Sequence, residues 1–154
     1  KREGEKFVLG LGGRGLVIRT SWLFGPSKSN FVQAILRKLR TNEPLRVVDD
    51  QTGCPTYTKD LALASLKLIN LKKYGLFHFS NSGKTTWYNF ALRIRDSLGY
   101  PNEIVPIKTA DLNLPAKRPE FSVLHCLKYI KNTKQEIRSW EAALDNYLSE
   151  IAVF

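Results

Sequence analysis

The sequence predicts an α/β chain with parallel strand pairing, and three observations carry that prediction. Short, β-branched apolar runs alternate with longer amphipathic stretches. The stretches between them are long enough for helical crossovers, which parallel pairing requires. Gly, Pro and Asn/Ser/Thr clusters fall where such elements begin and end. The strands are few and short for a complete doubly wound sheet, so the pattern fits half of a two-lobed protein.

Leu16 to Thr20 reads as a buried strand because its residues are apolar and β-branched. Gly25-Pro26 and the Ser-rich segment after it form a loop. Asn30 is placed to cap a helix from Phe31 to about Arg40, with Phe31, Ile35 and Leu39 on one face. Residues 41–44 (TNEP) break it, and Leu45 to Val48 is a strand. Thr58 to about Leu71 is a helix with Leu61, Ala64 and Leu68 on its apolar stripe. Leu76 to Phe79 is the next strand, opened by Gly75. Thr86 to Leu98 is a helix stopped by Gly99, the usual residue just past a helix end. Ile104 to Ile107 is a short strand, and Asp111 to Phe121 is irregular, with Pro115 and Pro119. Asn132-Thr133 then caps a last helix, expected from Lys134 to about Ile151, with Ile137, Trp140, Leu144 and Tyr147 or Leu148 inward.

The formal net charge of +10 points to anionic partners, although the lysines and arginines are scattered and many belong to solvated faces. Nucleic-acid binding would need aromatics interleaved with a basic stripe, and the aromatics occupy core-like positions, so no nucleic acid is expected. No apolar run approaches the roughly 18 residues that span a bilayer, so no membrane partner is expected either. The two cysteines, Cys54 and Cys126, have no metal spacing; free thiols in a cytoplasmic protein are expected over a disulfide. The chain opens on Lys1 and contains no methionine, which fits either processing or a fragment of a longer protein.

Two motifs invite a phosphate-loop reading. Gly10-Leu11-Gly12-Gly13-Arg14-Gly15 satisfies GxGxxG, but that mechanism needs a strand before the glycines and a helix after them. Here a strand follows, so the glycines are expected to link a helix to a strand. Gly83-Lys84-Thr85 resembles the end of a P-loop, yet the position that must be glycine is His78. A turn followed by a threonine cap is the expected structure, and His78 is expected to be a packed strand residue.

The most specific string is Arg19-Thr20-Ser21-Trp22-Leu23-Phe24-Gly25-Pro26, followed by Asn30-Phe31 and Val48-Asp49-Asp50-Gln51-Thr52-Gly53-Cys54-Pro55-Thr56. It resembles the C-terminal half of the dTDP-4-dehydrorhamnose reductases, in the extended short-chain dehydrogenase/reductase superfamily. Lys1 with Gly4-Glu5, and Arg118-Pro119 with Ser122 and Leu124, match the same family. Gly75 to Phe79 and Thr86 to Ala91 also look like it, and are read as structural.

The resemblance implies a partial Rossmann-like parallel sheet with the small substrate-binding lobe. Residues 1–29 would end a dinucleotide-binding domain, and 30–154 would form the mixed C-terminal half with a nucleotide-sugar lobe. Lys1 matches the lysine of the family's Tyr-x-x-x-Lys helix, whose charge lowers the tyrosine pKa and which holds the nicotinamide ribose. Lys1, Thr20 and Ser21 would then contact NADPH or NADH. Trp22 would lie against the deoxysugar, since an indole face suits a sugar's C–H surface. Asn30, Phe31, Gln51, Gly53, Pro55 and Arg118 would complete the substrate site. Gln51 can pair with a pyrimidine edge or ribose, Gly53 allows close backbone approach, Pro55 fixes its loop, and Arg118 can clamp a diphosphate. Trp22 also reads as a core indole, and Arg118 as a surface arginine.

The implied reaction reduces the 4-keto group of a dTDP-deoxysugar in dTDP-rhamnose biosynthesis. The family's tyrosine and N-terminal glycine motif are not in these 154 residues, so the chain alone is expected to be inactive and to need the other half as a partner; a homodimer is left open. The regulatory subunit of methionine adenosyltransferase looks similar over this region, which keeps open a non-catalytic module that works by association.

Overall fold

Two parallel strand pairs, each with its own helices, organise the chain. The structure is a computed structural model and describes residues 1–26, 29–41, 43–112 and 115–152. Helix α1 (Arg2–Leu9) leads through the glycine segment into β1 (Leu16–Arg19), which pairs in parallel with β6 (Gly75–His78). Strand β3 (Leu45–Val48) pairs in parallel with β8 (Ile104–Ile107). Two-residue strands form two further pairs: β2 (Leu23–Phe24) parallel to β5 (Thr56–Tyr57), and β4 (Thr52–Gly53) antiparallel to β7 (Thr85–Thr86).

The helices follow from capping and apolar spacing. The Asn30 side chain accepts from the Gln33 N–H and starts α2 (Phe31–Arg40); Val32, Ile35, Leu36 and Leu39 are buried on one face. Thr86 does the same for α4 (Trp87–Ser97) by accepting from Asn89 N–H. Helix α3 (Thr58–Asn70) buries Ala64 and Leu68 against Phe77, Phe79 and Tyr129, the core beneath β1 and β6. The larger core gathers α2, α4 and α6 (Trp140–Ala152) around Phe24, Tyr57, Phe90 and Leu144.

The C-terminal region departs from expectation. A separate helix α5 (Leu127–Thr133) precedes residues 134–139, and α6 starts at Trp140 rather than Lys134. Asn132 and Thr133, expected to cap a helix starting at Lys134, instead form the last turn of α5, their side chains donating back to Lys128 O and Tyr129 O. Lys134 ends that helix with a left-handed backbone, φ 55°. Ser139 Oγ then accepts from Ala142 N–H and starts α6. The predicted strand and helix boundaries elsewhere hold to within about two residues. Parts of three predicted loops or breaks, at 27–28, 42 and 113–114, lie outside the described residues.

Both decoy motifs resolve structurally. The glycine segment follows α1 and precedes β1, with Gly12 and Gly13 at positive φ. Gly83 sits in the turn before β7 and the Thr86 cap. Among the described residues, no helix is long and apolar enough to cross a membrane. None of their His, Cys, Asp or Glu groups is placed to hold a metal.

A polar network stitches the two cores together. Arg138 holds Asp60 with two hydrogen bonds (2.8 and 2.7 Å), Asn81 donates to Asp60 at 2.7 Å, and Tyr57 N–H donates to Asn81 Oδ1 at 2.8 Å. The Tyr57 hydroxyl donates to Glu150, which also takes Lys59 (both 2.8 Å). Burial first, and then the Glu150 carboxylate, push the Tyr57 phenol from 10.0 up to about 12. Its folded pKa lies above the unfolded one, so its contribution is complete below about pH 10 and is lost as pH rises toward about 12. Urea melts at pH 9 and 11.5 are expected to show a larger alkaline loss of stability in the parent than in Tyr57→Phe. Equal losses would remove Tyr57 from this account.

Candidate functional site

The loops at the carboxyl ends of β1 and β3 frame a cleft of about 850 Å³, the edge where open α/β sheets take ligands. After β1 the chain turns sharply: Trp22 has φ 45°, a region that costs a bulky side chain roughly 1–2 kcal/mol. Three contacts pin that turn. Thr56 N–H donates to Trp22 O at 3.1 Å, and Ser21 Oγ donates to Cys54 O at 2.8 Å. The Trp22 ring lies directly on the Gly53 backbone, where a Cβ would come within 2.4 Å of it.

Trp22 also stacks on Trp87, with centroids 3.6 Å apart and planes 11° from parallel. Trp87 opens α4, and Phe31, which opens α2, leans on it at 4.6 Å. Trp87 Nε1 donates to Gln51 Oε1 at 3.2 Å, and Gln51 Nε2 donates to Thr109 Oγ1 at 2.8 Å. Thr109 donates through its hydroxyl (2.6 Å) and its backbone N–H to the Asp50 carboxylate. These bonds, the hydroxyl first, hold the Asp50 carboxyl below its usual range. The Trp22 indole N–H has no hydrogen-bond partner among the described residues.

The loop carrying Arg118 is tied to β4: Thr52 N–H donates to Glu120 O at 2.7 Å, and Ser122 N–H donates to Thr52 O at 2.8 Å. Arg118, Lys1, Lys38 and Arg46 all line the cleft, with no carboxylate among its described lining residues. None of the four is in an ion pair among the described residues. The site is therefore a cationic cleft with an aromatic wall, suited to an anion that carries a flat or C–H-rich surface.

Of the residues singled out in the sequence, Lys1, Thr20, Ser21, Trp22, Phe31, Gln51 and Arg118 come together on this cleft. Asn30, Gly53 and Pro55 do not line it. Asn30 caps α2 and donates to Gly25 O; Gly53 supports Trp22 from behind; Pro55 is buried. The sequence marks Trp87 only within the stretch Thr86 to Ala91 read as structural, and it does not single out Lys38, Arg46 or Thr109. Lys38 was findable, since it stands seven residues after Phe31 on the same helical stripe. Arg46 alternates with buried Leu45 and Val47 and so points away from their core. Nothing in the spacing flags Thr109. His78 lies on β6, away from the cleft. Cys54 is a buried free thiol whose pKa burial pushes up.

Comparison with known proteins gives a consistent result. A family model described as the RmlD substrate binding domain matches residues 1–153. The spore coat polysaccharide biosynthesis protein SpsK of Bacillus subtilis is 41% identical over 150 residues, covering 97% of this chain and 52% of that protein. A dTDP-4-dehydrorhamnose reductase from Aggregatibacter actinomycetemcomitans is 36% identical over 158 residues, covering 95% of this chain and 54% of that one. The solved structure of dTDP-4-dehydrorhamnose reductase from Bacillus anthracis in complex with NADP superposes with a TM-score of 0.93 at 35% identity. It covers 97% of this chain and 53% of that structure's. The partial parallel α/β fold expected from sequence is the fold found. The chain spans about half the length of the curated relatives it matches.

Proposed function

The chain belongs to the RmlD substrate binding domain family, and on that premise we propose that its cleft holds a dTDP-deoxysugar whose 4-keto group is reduced. The observation that carries this reading is a cleft lined by four cations and two stacked indoles, with no carboxylate in its lining and no ion pair to the four among the described residues. In this reading Arg118, Lys38 and Arg46 neutralise the diphosphate. The unpartnered Trp22 N–H and its ring edge meet the sugar, and Gln51 keeps one N–H and one lone pair for the nucleoside. Asn30, Gly53 and Pro55 act by shaping the loops around these groups.

The residues present also fit a nicotinamide cofactor, NADPH or NADH. Thr20 Oγ1 is buried without a hydrogen-bond partner among the described residues and belongs to the cleft lining beside Lys1. Such an orphan is costly unless a ligand or water satisfies it. Lys1, Thr20 and Ser21 would hold the cofactor, which supplies the hydride when bound. The Lys1 ammonium would anchor ribose hydroxyls and favour an ionised neighbour. The family's tyrosine, which would protonate the carbonyl oxygen, is not among these 154 residues. We therefore read residues 1–29 as the end of a dinucleotide-binding domain, residues 30–154 as the half with the sugar-nucleotide lobe, and turnover as needing the remainder of a relative-length protein. The reductase names among the relatives favour this over the association-only alternative.

Calorimetric titration of the chain with dTDP-glucose tests the reading. One site per chain is expected, weakened by added salt. Arg118→Ala is expected to cost about ten-fold in affinity, the lower end for a charge-assisted bond because the residue is exposed. No heat from a chain shown to be folded by circular dichroism would count against it.

A further inference from the structure

The indole wall is held by a hydrogen-bond relay that begins away from the stack. An ionised carboxylate can only accept, so the Thr109 hydroxyl proton must point at Asp50, 2.6 Å away. The Thr109 oxygen can then only accept from Gln51, which turns the amide nitrogen toward Thr109 and the amide oxygen toward Trp87. An indole N–H can only donate, so this amide orientation is the one that bonds it; the reversed amide would set N–H against N–H. The shapes of the two amide ends are nearly identical, and polarity alone makes the choice.

We infer that Asp50 and Thr109 are positioning residues: acting through Gln51, they hold Trp87 flat against Trp22, so the two-indole wall is formed before any ligand arrives. Trp22 gains most from this, because its backbone is in the left-handed region and its ring is stacked on Trp87 and packed close to the Gly53 backbone. The inference deepens the dTDP-sugar reading, and its affinity arm rests on that reading; its spectroscopic arm does not.

Stacked indoles couple excitonically, so the chain is expected to show a far-ultraviolet circular-dichroism couplet that Trp87→Phe abolishes. Thr109→Val keeps the side-chain shape and removes the middle atom of the relay. It is expected to lower the couplet by about half or more and to weaken dTDP binding about five-fold, the usual scale for one buried hydrogen bond. Thr109→Ser, which retains the hydroxyl, is expected to restore both to within about two-fold. Should Thr109→Val fail to give a cooperative melt, Gln51→Met removes both bonds at similar volume and carries the same expectation for the couplet, which alone is read because Gln51 is itself assigned to the nucleoside. A Thr109→Val chain with parental couplet and parental affinity overturns the relay while leaving the dTDP reading intact. A lost couplet with unchanged dTDP affinity overturns the claim that the relay prepares the site. A parent that shows the couplet, loses it in Thr109→Val and never binds dTDP upholds the relay and overturns the dTDP reading instead.

Discussion

Gly53→Ala is expected to abolish most ligand binding, by about 30-fold or more, and to destabilise the chain by about 1–3 kcal/mol. The added methyl would sit 2.4 Å from the Trp22 ring, closer than any real contact. The ring is packed on Trp87 at 3.6 Å, so a shift large enough to clear the methyl disturbs that stack. It must leave the stack, or the β4 backbone must move and break the pairing with β7. Calorimetry with dTDP-glucose and urea melts measure the two effects. Gly4→Ala is the control, since nothing lies within 4 Å of its Cβ position and alanine favours its helix. The double variant Gly53→Ala/Trp22→Leu separates the causes: stability is expected to recover while binding stays lost. A Gly53→Ala chain that binds like the parent would mean that Trp22 does not form the working wall.

Phe90→Ala is expected to cost about 3–5 kcal/mol, the range for removing a fully buried aromatic ring. Phe90 is 0% exposed and touches Phe24, Phe31 and Trp140 at centroid distances of 5.4 to 5.7 Å. It joins α2, α4 and α6, so the void opens at the centre of the larger core. The same loss loosens Phe31, which leans on both Phe90 and Trp87, so dTDP affinity is expected to fall alongside stability. Urea unfolding monitored by fluorescence gives the stability change. A cost under about 1 kcal/mol would show that the core repacks around the void and that this contact set is not what holds α4 in place.

Local chemistry made much of this readable from the chain. Asn30 and Thr86 announce their helices because a short polar side chain before an apolar stripe suits an N-cap, and both cap. The same pattern at Asn132-Thr133 closes α5 instead. The glycine decoy was readable from element order alone. What sequence hid depends on partners far along the chain. The two-residue strands at Leu23, Thr52, Thr56 and Thr85 exist only through pairing, and no run that short carries a period. The split between α5 and α6 depends on one lysine in a left-handed conformation, which intrinsic preference disfavours. In the site, the motif residues assembled as a group, but the links among them did not show. Gln51 is fixed by Thr109, 58 positions away, and Trp22 is supported by a glycine whose role looked like ligand approach.

The most direct test of the cleft is a proton–nitrogen spectrum of the chain's three indole N–H groups during addition of dTDP-glucose. Trp22 and Trp87 face the cleft, whereas Trp140 is buried in the core among α4 and α6. The Trp22 resonance is expected to shift most and to saturate with one ligand per chain, Trp87 is expected to follow, and Trp140 to stay in place. Stationary Trp22 and Trp87 signals in a folded sample, or a saturating shift confined to Trp140, would contradict the assignment of this cleft as the sugar-nucleotide site.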